Sequence, residues 1–473
     1  MWYKTAKFLI LTLSFLNNLS FGANLEQSIK NLIKTNGFSN SNFGIYVQAT
    51  NKTSAQVSIN PNKLFTPASV VKLATTYAAL LELGKTYRWP TEFYINGKLT
   101  NGVLKGDLVV KAFGDPGLVS EDLDIITASI AKKGIKSITG NLIIDRSYFK
   151  VSNKNSARFD KNTHRPYNAL PDAMMFNHRA SKIEIKPNKK TGKIEALRDL
   201  PDSSYAILNQ LKASKKSCRG NRAWPGVSFT TYQNKPAIKL SGTYSLKCPK
   251  REIYKVLTKP YYMFYHGLKF KLAEKGILLK GQLKLTKVPK TAKKIFILKS
   301  KPLIKIISKI NKKSNNVMAR QVLLTVGAKI FGSGATYNSG VKAVNSILKQ
   351  NKVINSNLKI DNGSGLSRSA KLNALNLAKI LQHAYKKYGS SWKNTLAVMG
   401  LDGTLKKRLR NSNLKGRAWM KTGSLKATRS IAGYLKAKSG KLYTVVILQN
   451  GKNAKYKGKN LQDEILKLVY ASG

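Results

Sequence analysis

Ser69 and Lys72 stand three residues apart in Thr66-Pro67-Ala68-Ser69-Val70-Val71-Lys72-Leu73, and an apolar run continues from there to Gly84. On a helix that spacing places a hydroxyl and an amine on one face, one turn apart, where they can share a proton. Pro67 at the entry, the Ala, Leu and Val of the body and Gly84 at the end predict a helix with Ser69 in its first turn. A helix N-terminus favours negative charge on the serine oxygen, so the pair suits a serine nucleophile with a lysine base. Spacing alone is weak in a chain so rich in lysine. It recurs at Ser129, Ser147, Ser339, Ser346, Ser356, Ser390 and Ser412, where a solvated pair is the plainer reading. Ser69 differs because Val70, Val71, Leu73 and Ala74 crowd Lys72. Burial lowers the pKa of an amine and makes it a usable base near neutral pH.

Two further segments carry residue types that would complete a cleft. Lys421-Thr422-Gly423-Ser424 follows Ala418-Trp419-Met420 at the end of an expected strand. There Lys421 can offer a cation to a carboxylate, Thr422 and Ser424 can donate hydroxyls, and Gly423 lets a ligand backbone approach. A hairpin turn is the plainer alternative, and it is the reading given to a second such triplet, Lys190-Thr191-Gly192. Ser314-Asn315-Asn316 opens a helix and could be no more than its N-cap. In the chemical reading Ser314 relays a proton to the leaving group and Asn316 orients a substrate amide. Other chemistries lack their residues. His164, His178, His266 and His383 are scattered with no His-Glu-x-x-His and neither cysteine has metal-ligand spacing, so no metal or cofactor is expected, and the lack of a Gly-x-Ser-x-Gly elbow disfavours a serine hydrolase using histidine.

The elements that must hold these segments follow from periodicity. A helix is expected from Leu25 to Thr35, then paired strands at Phe43–Gln48 and Ala55–Ile59. From Arg88 to about Lys290 short strands alternate with Gly and Asn turns. Helices return after Lys301, strands follow at Arg417–Met420, Thr428–Leu435 and Leu442–Gln449, and a helix over Leu461–Tyr470 closes the chain. The expected domains are a first one from residues 24–88 and 291–473, with a β-rich insertion at 89–290. The insertion is expected to be two modules, one of them, about 106–180, nested within the other.

Residues 1–23 read as a secretory signal: Lys4 and Lys7, the apolar run Phe8–Leu16, and small residues for cleavage near Gly22 or Ala23. That implies export, for which a periplasmic location is expected. In an exported chain Cys218 and Cys248 most simply form one disulfide, two free buried thiols being the alternative. The 84 Lys and Arg against 21 Asp and Glu give a formal charge of +63, spread along the whole chain. Such a surface is expected to adhere to an anionic wall polymer or membrane surface. No zinc-finger or RNP signature accompanies it, so specific nucleic-acid recognition is not expected.

Taken in order, Ser69-x-x-Lys72, Ser314-x-Asn316 and Lys421-Thr422-Gly423 resemble the motifs of the penicilloyl-serine transferases, the penicillin-binding proteins and serine β-lactamases. The long gap after the first motif resembles the low-molecular-mass class C penicillin-binding proteins, D-alanyl-D-alanine carboxypeptidases and endopeptidases of the penicillin-binding protein 4 type. Similar context is found in Gly106–Val110 with Gly114-Asp115-Pro116, in Gly140–Asp145, in Asp361–Arg368 and in Gly400–Leu405. Ser424 stands where the family more often has Thr, and Asn362 where it often has Asp.

The resemblance implies an α+β fold, a five-stranded antiparallel sheet with helices on both faces and two inserted β-rich domains. It implies peptidoglycan stem peptides ending in D-Ala-D-Ala as substrate, acylation of Ser69 by β-lactam antibiotics, and an oxyanion hole from the backbone N–H groups of Ser69 and Ser424. Arg368 and Asn177 are its candidates for reading the stem-peptide side chain. The alternatives are a β-lactamase of the same fold and a non-catalytic wall-binding or polyanion-binding protein. The first would need fast release of the penicilloyl group, and the sequence lacks the Glu-x-x-Leu-Asn segment of class A β-lactamases.

Overall fold

The strand Phe43–Ala49 pairs antiparallel with both Val57–Ile59 and Leu442–Asn450, so the two ends of the chain build one sheet. A computed structural model of the protein describes residues 24–151, 159–356 and 358–473. The signal-peptide reading of residues 1–23 lies outside them. The described chain divides into two compact units, one formed by the segments up to Tyr87, Pro302–Ile330 and Tyr337–Gly473, the other by Arg88–Lys301 with Phe331–Thr336.

In the first unit the sheet runs Ala397–Val398, Ala418–Leu425, Thr428–Lys436, Leu442–Asn450, Phe43–Ala49, Val57–Ile59. It has six strands where five were expected, the extra one being the two-residue edge Ala397–Val398, too short to register as a periodic pattern. The central strands are buried on both faces and therefore read as near-continuous apolar runs. Ile45, Ile431 and Ile447 lie abreast across three strands. They pack with Ile29 and Ile33 of the helix at 24–35 and with Leu461 and Ile465 of the helix Ala454–Ser472. The opposite face meets the helix Ala374–Lys393, where Gln382 donates to Gln48 at 2.6 Å and the Trp392 indole donates to the Tyr434 hydroxyl at 2.9 Å. Because side chains alternate along a strand, residues 421 and 423 point to the face opposite residue 422.

The second unit has two cores. One joins Phe93, Leu108, Val110 and Leu142 to the helices Asp122–Lys132 and Pro260–Glu274. The other gathers Ile183, Ile185, Ile238, Leu240 and Tyr244. The segment enclosed in sequence by the first core is thus about 181–257, which reverses the expected nesting of 106–180. The boundary expected at 290/291 also moves, to 301/302, because Lys293–Lys299 pairs antiparallel with Pro90–Thr100. Both differences rest on strand partners distant in sequence, which local texture does not reveal. Cys218 and Cys248 are joined in a disulfide.

Candidate active site

Ser69 does not sit in the first turn of an α-helix. It belongs to a 3-10 turn, Ala68–Val71, that runs directly into the α-helix Lys72–Leu83, ended by Gly84 at φ 77°. Pro67 caps the turn and Ala68 takes φ 50°. The tighter winding explains how the two residues meet. In a 3-10 helix side chains three apart eclipse each other, and Lys72 Nζ lies 3.0 Å from Ser69 Oγ.

Lys72 is fully buried, and three oxygens surround its amine. It donates to Asn316 Oδ1 at 2.7 Å, to the Ser364 carbonyl, and to Ser69 Oγ. Burial, then the charges of Lys421 and Arg320, hold its pKa well below that of an ordinary lysine. Asn316 reaches it because Asn315, not Asn316, caps the helix Asn316–Phe331, with Asn315 Oδ1 accepting the Met318 N–H at 3.0 Å. Just before it, Ser314 ends the helix Leu303–Lys313 in the left-handed conformation at φ 56°. Non-glycine residues adopt that region at a cost of roughly 1–2 kcal/mol, and such strain clusters at functional positions. It turns the hydroxyl toward Lys421, whose Nζ donates to Ser314 Oγ at 2.9 Å and to the Thr422 carbonyl at 2.8 Å.

Lys421 is also fully buried, and that burial pushes its pKa down to about 7. The strand that carries it lies close against the nucleophile's turn. A Cβ at Gly423 would stand 2.8 Å from the Pro67 carbonyl oxygen and 3.0 Å from the Ser69 nitrogen. Thr422, on the other face, donates its hydroxyl to Thr404 Oγ1 at 3.0 Å. Ser424 is exposed at the end of the same strand.

The structure therefore brings Ser69, Lys72, Ser314, Asn316, Lys421, Thr422 and Gly423 into one cleft, with Ser424 beside it. Two of the residues gathered there were not among the candidates. The Ser364 carbonyl reaches both Lys72 and, at 3.4 Å, Ser69 Oγ. Its loop is shaped by Gly365 at φ 78°, where a Cβ would lie 2.0 Å from the Ala68 carbonyl oxygen. Asn362 anchors that loop. Its Oδ1 accepts the Ser364 N–H at 3.0 Å and hydroxyl at 2.6 Å, and its Nδ2 donates to the Leu366 carbonyl at 3.0 Å. Thr404 is the second. Gly363 and Gly365 around Ser364, and Gly403 before Thr404, were the available signal, since a backbone carbonyl such as that of Ser364 leaves no side-chain motif.

Arg368 follows the Ser364 loop and is exposed. Asn177 belongs to the other unit, where its Oδ1 accepts the Ser120 N–H at 2.9 Å in a turn whose residues 177–179 all have positive φ. Among the described residues no cluster of His, Cys, Asp and Glu could hold a metal ion, and no helix is long and apolar enough to cross a membrane.

Known proteins resemble this chain along most of its length. D-alanyl-D-alanine carboxypeptidase DacB of Haemophilus influenzae is 26% identical over 436 residues, covering 87% of this chain and 86% of that protein. A D-alanyl-D-alanine carboxypeptidase of Actinomadura is 26% identical over 402 residues, 81% of this chain and 73% of its own. The crystal structure of penicillin binding protein 4 from Haemophilus influenzae superposes with a TM-score of 0.77 at 25% identity, covering 93% of this chain and 98% of that one. The same protein has been crystallised in complex with a β-lactam. The predatory endopeptidase Bd3459 of Bdellovibrio bacteriovorus shares the fold, with a TM-score of 0.51 at 15% identity over 89% of this chain and 90% of that one. A match to the sequence profile of one peptidase family runs from residue 25 to residue 471, and with it this chain belongs to the D-Ala-D-Ala carboxypeptidase 3 (S13) family.

Proposed function

We propose that the protein is a serine peptidase that cleaves the D-Ala-D-Ala terminus of peptidoglycan stem peptides, and cross-links between stems, through an acyl-enzyme on Ser69. The observation that carries the reading is the setting of Lys72, an amine buried among Ser69, Asn316 and Ser364 oxygens beside a second buried lysine. A neutral amine has two N–H bonds and one lone pair. With its protons donated to Asn316 and to the Ser364 carbonyl, the lone pair is left for the Ser69 hydroxyl.

Each step then has a residue. Ser69 Oγ attacks the carbonyl of the penultimate D-Ala and its proton passes to Lys72. The backbone N–H groups of Ser69 and Ser424 receive the developing oxyanion, each donor of such a hole being worth about 3 kcal/mol. Asn316 orients the substrate amide. Ser314, which contacts Lys421, relays the proton taken up by Lys72 to the leaving nitrogen, so that both side chains return to their starting states. The C–N bond breaks and the C-terminal residue departs as a free amine. Lys421 holds the terminal carboxylate, with Thr422 and Ser424 donating beside it and Gly423 giving room for the substrate backbone. Water then attacks the ester carbonyl and returns the proton to Ser69. A β-lactam follows the same path to acylation, but its leaving nitrogen stays tethered and blocks the approach of water. Arg368 is the side chain proposed to meet the stem peptide, and its exposure just after the Ser364 loop supports that role.

The test is covalent labelling by a fluorescent penicillin. Ser69→Ala should lose the label while keeping its circular dichroism spectrum and melting temperature; undiminished labelling would refute the assignment. The lifetime of the wild-type adduct separates a peptidase, whose label persists, from a β-lactamase, whose label turns over rapidly. For location, the exported protein is expected in the periplasm, held on the anionic wall or membrane surface by its net charge of +63. Binding to purified sacculi should then weaken as salt rises, since the Debye length is only about 8 Å at physiological ionic strength.

A further inference from the structure

The loop Gly400-Leu401-Asp402-Gly403-Thr404-Leu405 has no part in the chemistry above, yet it is fixed to both segments that do. Asp402 accepts the Val398 N–H at 2.8 Å through one carboxylate oxygen and meets the Lys312 ammonium through the other. Lys312 lies two residues before Ser314. Gly403, at φ 56°, presses its backbone on the same residue, and a Cβ there would lie 2.5 Å from the Lys312 carbonyl oxygen. Leu405 is fully buried in the core beneath the sheet. Thr404 stands on this locked turn, Gly403–Leu405, with its side chain exposed and its hydroxyl 3.0 Å from that of Thr422. A rigid turn that presents one exposed hydroxyl to a residue of the cleft does not need that hydroxyl for folding.

We propose that Thr404 is a positioning residue for the substrate's terminal carboxylate, acting through Thr422; the inference rests on the functional reading above. The Thr422 hydroxyl donates its proton to Thr404. A hydroxyl both donates and accepts. When a carboxylate settles beside Lys421, Thr422 turns its proton to the carboxylate and Thr404 donates to Thr422 in exchange. Thr404 thereby holds the Thr422 side chain in one rotamer before and after binding.

The experiment compares a peptide ending in D-Ala-D-Ala as the free acid with the same peptide as its C-terminal amide, at pH 6.5. Thr404→Val keeps the shape and removes the hydroxyl. For the free acid, KM should rise about five-fold with little change in kcat, the ratio corresponding to a net hydrogen bond of ~1 kcal/mol. The amide should be hydrolysed as by wild type, Thr404→Ser should restore the free-acid KM, and Thr404→Val with Thr422→Val should be no worse than Thr422→Val alone. Equal effects on acid and amide, no effect on either, or additive losses in the double variant would each overturn the inference. A wild type that cleaves neither peptide would instead overturn the functional reading and take the inference with it.

Discussion

Raising the pH from 6 to 9 removes the positive charge of Lys421, because burial holds its pKa at about 7, against an ordinary lysine at 10.5. If that ammonium receives the substrate carboxylate, kcat/KM for a D-Ala-D-Ala peptide should fall above pH 7 by about ten-fold per pH unit, roughly a hundred-fold at pH 9. The bound carboxylate stabilises the ammonium, so kcat should fall less and at higher pH. The same proton acts on stability with the opposite sign. Between about pH 7 and 10 the unfolded chain keeps a proton that the folded chain has lost, so stability rises with pH across that window and is flat below it. The slope is at most about 1.4 kcal/mol per unit, a rise of roughly 2 kcal/mol from pH 7 to 9 and roughly 4 kcal/mol over the whole window. Urea denaturation of wild type and Lys421→Met at pH 6, 7, 8 and 9 isolates the part due to Lys421, since the variant should lose that part and keep the rise that the buried Lys72 amine contributes. Lys421→Met should also raise the pKa of Lys72, which the Lys421 charge now helps to depress. Acylation of the variant by penicillin should therefore need a higher pH. A wild-type kcat/KM that stays level to pH 9, or a stability slope that Lys421→Met leaves unchanged, would refute the reasoning.

Other perturbations follow from the same contacts. Gly365→Ala would drive a methyl into the Ala68 carbonyl, so labelling by fluorescent penicillin should slow at least ten-fold, with about 1–3 kcal/mol lost in urea denaturation. Arg408→Met strips the buried Asp463 of its guanidinium partner and should cost about 3 kcal/mol in the same assay, the low end for a broken buried pair because Lys459 still contacts Asp463 at 3.1 Å. Replacing Cys218 and Cys248 by alanine opens a loop with a sequence separation of 30 and should cost about 3.5 kcal/mol of stability, measured by thermal unfolding. Ser69 should label as before, because the disulfide lies in the unit that does not contain the cleft.

The candidate site was legible where its side chains stand at fixed local spacing. Ser69 and Lys72 share one turn, Ser314 and Asn316 one helix entry, and Lys421 to Gly423 one strand, and each cluster announces itself by residue type. What could not be read was of a different physical kind. The 3-10 winding at Ala68–Val71 depends on Ala68 adopting a positive φ against the Ser364 loop, some three hundred residues away in the chain. The Ser364 carbonyl is a backbone group, so any residue type could have supplied it. The strand Lys293–Lys299 looks like a peripheral segment until its partner, Pro90–Thr100, is known.

The base of the proposed reaction shows why both kinds of information are needed. Lys72 is recognisable by its distance from Ser69 in sequence, but its lowered pKa comes from burial and from Lys421 and Arg320, two residues on other elements. An isolated helix with the same eight residues would present an ordinary ammonium to solvent, unable to take a proton near neutral pH. The motif supplies the atoms, and the closure of the sheet by both ends of the chain supplies the field that makes one of them a base.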